Sequence, residues 1–114
     1  MTDLIRAELK DGIAGYSKDG QRIYVDVDVP SWMLRPLLVH EETELPLVLF
    51  QHMPYEQADK IATQAERQEC ERIGLSWKVY VYEFMRLMAH RNPNAVDPSD
   101  IHEGNPADYI NVEV

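Results

Sequence analysis

The chain has 114 residues, of which 20 are acidic and 11 are basic, so its formal net charge at pH 7 is −9. This length suits one domain that buries a core without disulfides, and the negative charge argues against direct binding to nucleic-acid phosphates. Cys70 is the single cysteine, and no apolar run resembles a signal region or reaches the length of a membrane span. We therefore expect one cytoplasmic domain over residues 1–114, with no membrane contact.

The first part of the chain predicts a β-hairpin. In residues 1–12 the apolar residues show no regular spacing, so this segment is expected to be a polar lead-in. The core is then expected to begin at roughly residue 12. Residues 13–16 form a short strand, and Asp19-Gly20 supplies a turn, because this pair tolerates the positive φ of tight hairpins. In residues 21–29, apolar side chains alternate with Tyr24, Asp26 and Asp28. This period of two predicts a strand with one buried face and one face in water.

Three helical patterns follow, over residues 34–50, 54–73 and 77–90. The first contains Pro46, which lacks a backbone N–H, so a kink or a break is expected there. Gly74 ends the second helix and Ser76 caps the third. Residues 92–114 are rich in proline and acidic residues and predict an irregular tail. The fold class is therefore α+β: a small antiparallel hairpin or sheet packed against three helices, with an irregular C-terminal tail after a core of roughly residues 12–91.

The first helix carries the sequence His40-Glu41-x-x-Glu44. Residues four apart share a helix face, so His40 and Glu44 can ligate one metal ion while Glu41 lies beside them. Two ligands on one turn with an adjacent carboxylate form the layout of a catalytic zinc site. The same spacing arises readily in an acidic chain, so a solvated acidic helix face remains the alternative interpretation.

The second helix carries two more acidic residues on a shared face. Asp59 and Glu66 are seven residues apart, which places them within roughly 20° of each other around the helix axis. They border a row of alanines that predicts close contact with a neighbouring helix, formed by Ala58, Ala62 and Ala65.

Two motifs occur together in the middle of the chain. Residues 39–44 read Val-His-Glu-x-x-Glu, and residues 55–66 read Tyr-x-x-Ala-Asp-x-x-Ala-x-x-Ala-Glu. With the preceding hairpin, they make roughly residues 13–82 resemble a family of small uncharacterised bacterial and phage proteins. That family is similar in design to a reduced zincin core, in which a strand, a His-Glu helix and a second helix surround a metal ion.

The resemblance implies a set of site residues. His40 and Glu44 would be metal ligands, Glu41 the general base, and Glu66 a further ligand or a carboxylate that supports one. Asp59 stands where the family tends to have histidine, and Asp59 or Glu66 would complete the ligand set. The cofactor would be a divalent metal, either zinc, manganese or iron. Because this set of ligands is rich in oxygen, it favours manganese, iron or magnesium over zinc.

Two functions of different classes follow. The first is a small zincin-like metal-binding protein, acting as a metal-dependent hydrolase of peptide or amide bonds, in which the edge of the strand at residues 21–29 aligns an extended peptide. The alternative is a non-catalytic acidic protein that covers a basic protein partner, as phage-encoded inhibitors that imitate nucleic acid do. The histidine among the carboxylates favours the first, the charge of −9 favours the second, and the sequence leaves the oligomeric state open.

Overall fold

A computed structural model describes residues 2–103 of the chain. These residues form three strands followed by three α-helices. The elements are β1 (Asp3–Ala7), β2 (Ala14–Tyr16), β3 (Arg22–Asp26), α1 (Leu34–Leu49), α2 (Tyr55–Arg72) and α3 (Trp77–Ala89). A turn of 3₁₀ helix at Ser31–Met33 leads into α1. The predicted α+β class is confirmed, and no helix within residues 2–103 combines the length and the apolar character needed to cross a membrane.

The sheet is mixed, with the strand order β1-β3-β2. β2 and β3 form the predicted antiparallel hairpin, and Gly20 in its turn has a φ of 73°. β1 lies parallel to β3, so residues 1–12, predicted to be a polar lead-in outside the core, contribute a strand to the sheet that was not predicted. β1 is a largely exposed edge strand, and a strand that buries little shows no alternating pattern. Because β3 lies between two strands, the prediction that its edge aligns a peptide is also wrong.

Both faces of β3 are buried, so the predicted water-exposed face is wrong for Tyr24 and Asp26. Asp26 is 1% exposed; its Oδ2 lies 2.6 Å from Arg91 Nη1 and accepts the N–H of Leu9. The Tyr24 hydroxyl donates to Asp100 Oδ1 at 2.6 Å. These partners are distant in the sequence and satisfy the polar groups of β3, which ends at Asp26 rather than at residue 29.

α1 continues through Pro46, so a break at that residue is wrong. Proline removes the N–H that would bond the carbonyl of Glu42, and Glu42 is exposed, so water can take the place of that bond. The N–H of Phe50 donates to the Pro46 carbonyl at 3.1 Å and closes the last turn. His40 and Glu44 therefore lie on one uninterrupted helix.

α1 and α2 lie antiparallel and in close contact. Near the start of α1, Arg35 Nε donates to Glu69 Oε2, near the end of α2, at 3.3 Å. Ala58 and Ala62 are completely buried, as their spacing predicts, and such small side chains let two helix backbones approach closely. The acidic residues that border these alanines therefore face α1.

α3 closes the core. Ser76 caps it as predicted, because its side chain accepts the N–H of Val79. Apolar side chains at helical spacing form one stripe of α3, and four of them are buried, namely Tyr80, Val81, Phe84 and Leu87, while Trp77 is partly buried against the same core.

The segment after α3 packs along β2. Residues 92–103 form no helix and no strand beyond a single bridge at Ile101, which agrees with the predicted irregular tail. The N–H of His102 donates to the Tyr16 carbonyl and the N–H of Lys18 donates to the Asp100 carbonyl, each at 2.7 Å. The rest of the predicted tail, residues 104–114, lies outside the described residues.

Candidate metal centre

The acidic turn of α1 faces α2. His40, Glu41 and Glu44 are 6%, 1% and 1% exposed, whereas Glu42 is exposed to solvent. Three of these four ionisable side chains are thus buried. The alternative interpretation of this turn as a solvated acidic helix face is therefore wrong. Buried ionisable groups are costly unless they are paired or bind a metal.

His40 lies between three carboxylates, one from α1 and two from α2. Its Nδ1 is 2.8 Å from Glu66 Oε1. Its Nε2 is 3.3 Å from Glu44 Oε1 and 3.2 Å from Asp59 Oδ1. His40, Glu44 and Asp59 each offer a ligand atom, and these atoms lie within 4.8 Å of one another. The structure therefore brings together all three, with Glu66 on the opposite side of the ring.

The spacing of the atoms around Nε2 is compatible with metal ligation. Neither His40 Nε2 nor Glu44 Oε1 makes a hydrogen bond of acceptable geometry among the described residues, although both are buried. Charge-assisted N–H···O bonds are about 2.7–2.9 Å long. Two ligands bound tetrahedrally at about 2.0–2.1 Å from one ion are separated by roughly 3.3 Å. The separations of 3.2 and 3.3 Å at Nε2 match the second case.

Glu66 orients the His40 ring. Its Oε1 faces Nδ1, and its Oε2 accepts a hydrogen bond from the Tyr80 hydroxyl. A carboxylate that accepts the Nδ1–H of a histidine leaves the Nε2 lone pair free for a metal. The sequence predicts Glu66 as a metal ligand or as a carboxylate that supports one; the structure places it at Nδ1 of His40, whereas Glu44 and Asp59 lie at Nε2.

Glu41 is a buried acid poised near neutral pH. Burial raises its pKa to about 8; the positive charge of His40 opposes this rise, and the neighbouring carboxylates, Glu44 foremost, add to it. Its Oε2 has no hydrogen-bond partner among the described residues. A carboxylate with a pKa in this range can accept a proton and return it at neutral pH.

His40 acts as the local cation when no metal is bound. Burial alone would lower its pKa, but the close approach of Asp59, Glu44 and Glu66 raises the pKa well above 6.5. Metal ligation requires the neutral imidazole, so a metal ion must displace this proton. Asp59 is 18% exposed at its side chain, and it gives the cluster a route to solvent.

Two other side chains that could take part in chemistry, His52 and Cys70, lie outside this cluster. His52 is exposed in the connector after α1, with a φ of 54°. Cys70 is buried, and burial, followed by the charge of Glu66, raises its pKa to about 12, as expected of an unreactive core thiol. The site role of Tyr80 was not predicted, because the helical period assigned it only to the core. A buried tyrosine needs a hydrogen-bond partner for its hydroxyl, and this requirement could have indicated from the sequence that Tyr80 contacts a polar residue.

Comparison of the chain with known protein families, with curated protein sequences and with solved structures finds no match.

Proposed function

We propose that this protein binds a divalent metal ion between α1 and α2, through His40 Nε2, Glu44 and Asp59. The observation that carries the proposal is the convergence of three ligand atoms, two of which are buried without a hydrogen-bond partner among the described residues. Buried polar atoms without partners are rare in folded proteins, because each costs about 1–3 kcal/mol. A bound ion satisfies both atoms at once.

The charge of the cluster supports a cation. Glu41, Glu44 and Glu66 are nearly inaccessible to water, and Asp59 is close to them, while His40 is the single basic side chain in contact with them among the described ion pairs. A set with one imidazole and several carboxylates is hard and oxygen-rich. Such ligands favour manganese or iron over zinc more than a two-histidine set does.

The reaction that suits this arrangement is hydrolysis of a peptide or amide bond, in a zincin-like design. A divalent ion lowers the pKa of a water molecule and polarises a carbonyl. Glu41, one residue from His40 on the helix, is the group that takes the proton from that water. Glu66 and Tyr80 hold His40 in place, and they do not contact the reacting atoms.

The acidic interaction protein draws less support from the fold. Imitation of nucleic acid requires carboxylates at the surface, yet within residues 2–103 five acidic residues are buried: Asp26, Glu41, Glu44, Glu66 and Glu69. Four of these make ion pairs with basic side chains of the same chain, Glu41 being the exception. The net charge of −9 thus overstates the charge available to a basic partner.

Calorimetric titration of the chelator-treated protein with Mn²⁺ and with Zn²⁺ tests the proposal. We expect one ion to bind per chain, and Glu44→Gln to abolish or greatly weaken this binding. Glu42→Gln is the matched control, because Glu42 is an exposed glutamate on the same helix. If neither metal binds more tightly than about 1 mM, equivalent to about −4.1 kcal/mol, the proposal is wrong.

A further inference from the structure

β1 leaves one edge of the sheet open. Within residues 2–103 its single neighbour is the parallel strand β3. The N–H of Asp3 donates to the Gln21 carbonyl at 2.9 Å, and the Ala7 carbonyl accepts an N–H of the segment after β3 at 3.1 Å. The backbone groups of alternate residues in a strand point to the same neighbour. Those of Leu4 and Arg6 therefore point away from β3, where a further strand can pair with them.

A groove of about 320 Å³ lies beside the start of β1, between the hairpin turn and the C-terminal half of α1. Leu45, Pro46 and Phe50 form its apolar lining, and Thr2, the residue before β1, also lines it. The tip of the Phe50 ring rests on Gly20, because a Cβ at that position would lie 3.0 Å from Phe50 Cζ. Phe50 is still 61% exposed, so a ligand in the groove can contact its ring.

Glu42 gives the groove a negative charge. It is exposed and lines the groove, and it lies about 200° around the helix axis from His40, away from the candidate metal ligands. Its carbonyl lacks the usual helical donor, because residue 46 is proline, and it points along the helix toward Pro46. A lysine or arginine side chain matches these groups: its charged N–H groups donate to the oxygens, while its stem and charge pack on the ring of Phe50.

The side chains of an added strand can reach this groove. Leu4 is in register with Ile23 of β3, which belongs to the same apolar core as Leu45 of α1. Residues opposite each other in paired strands point to the same face of the sheet. A residue paired with Leu4 therefore projects to the side of α1, as does every second residue of the added strand. The one nearest the start of β1 projects toward the groove.

We propose that the edge of β1 and this groove bind an extended, basic segment of a partner protein. The segment pairs with Leu4 and Arg6 and inserts a lysine or arginine side chain beside Glu42 and Phe50. In such strand addition the main chain supplies affinity and the pocket supplies specificity, and the net charge of −9 attracts a basic partner. The groove uses one exposed carboxylate, so it does not need the dense surface charge that imitation of nucleic acid requires.

A capped hexapeptide of alternating lysine and valine is the probe. NMR titration of the chelator-treated full chain, at about 0.15 M salt, should shift the amide signals of Leu4, Arg6 and Phe50. Phe50→Ala and Glu42→Gln should each weaken binding about tenfold, the size of one cation–π contact or one hydrogen bond to a charged group. The matched controls alter an exposed aromatic and an exposed glutamate outside the groove; they are Tyr82→Ala and Glu71→Gln, and both should leave the affinity unchanged.

Two further peptides separate strand pairing from attraction by charge. The same peptide methylated at every backbone nitrogen keeps its charge and cannot donate to β1, so it should not bind. Equal binding of this peptide, or of a hexapeptide of alternating glutamate and valine, would overturn the proposal.

The remaining outcomes concern other occupants of the edge. If the lysine–valine peptide does not bind at about 1 mM, the proposal is wrong. If the protein instead forms dimers that shift Leu4 and Arg6, a second copy of the chain covers the edge, and the proposal is wrong as well. Because the titration is done without metal, none of these results depends on the proposed metal site.

Discussion

Glu66 Oε1 lies 2.8 Å from His40 Nδ1, and this contact decides which nitrogen of the ring faces Glu44 and Asp59. Because the other oxygen of Glu66 accepts from Tyr80, the orientation of a residue on α1 depends on α2 and α3 together. The chain of contacts from Tyr80 to His40 connects the core to the proposed metal site, and it can be tested without changing any of the proposed ligands.

Tyr80→Phe removes the hydroxyl that holds Glu66 and keeps the ring. We expect metal affinity to fall about 10- to 100-fold, because groups that orient a ligating histidine contribute by this amount. Isothermal titration with Mn²⁺ measures the change, and Tyr82→Phe is the matched control, because Tyr82 is 71% exposed on the same helix. An unchanged affinity would mean that packing alone holds the His40 ring.

The metal-free protein should lose stability as pH rises. Glu41 has an ordinary pKa of 4.5 when unfolded and about 8 when folded, so the folded state binds more protons between these values, and the free energy of unfolding falls over that range. The raised pKa of His40 acts in the same direction: its contribution is complete below pH 6.5 and is lost as pH rises through the folded pKa.

Urea denaturation between pH 5 and pH 9 checks this dependence. Glu41→Gln should flatten the curve below about pH 8 and leave the part due to His40. With metal bound the trend should reverse, because the ion competes with protons for His40 and for the carboxylates. A metal-free protein whose stability rises over this range would contradict the assigned directions.

Sequence reasoning succeeded where the signal is local. The hairpin turn at Asp19-Gly20, the cap at Ser76 and the placement of His40 and Glu44 on one turn each depend on residues a few positions apart. β1 was missed because its stability comes from pairing with β3. Asp26 was expected in water because its partner, Arg91, follows only after three helices.

Phe84 tests the assignment of the α3 stripe to the core. It is 4% exposed and belongs to the main apolar cluster, so Phe84→Ala should lower the free energy of unfolding by about 3–5 kcal/mol. Met85→Ala on the next residue, which is 48% exposed, should cost much less. Urea denaturation of the two variants compares them directly. Equal costs would place the stripe outside the core.

Glu41 separates metal binding from hydrolysis. Mn²⁺ or Zn²⁺ should raise the thermal midpoint of the wild type, since an ion that binds only the folded state stabilises it by about 2.7 kcal/mol at 100 times its Kd. Glu41→Gln should keep this shift and lose any peptide hydrolysis, because the ligands remain while the group that accepts the proton is gone. The variant that combines His40→Ala with Glu44→Ala should lose the shift itself. If Glu41→Gln loses the shift too, Glu41 binds the metal and a different group must act as the base.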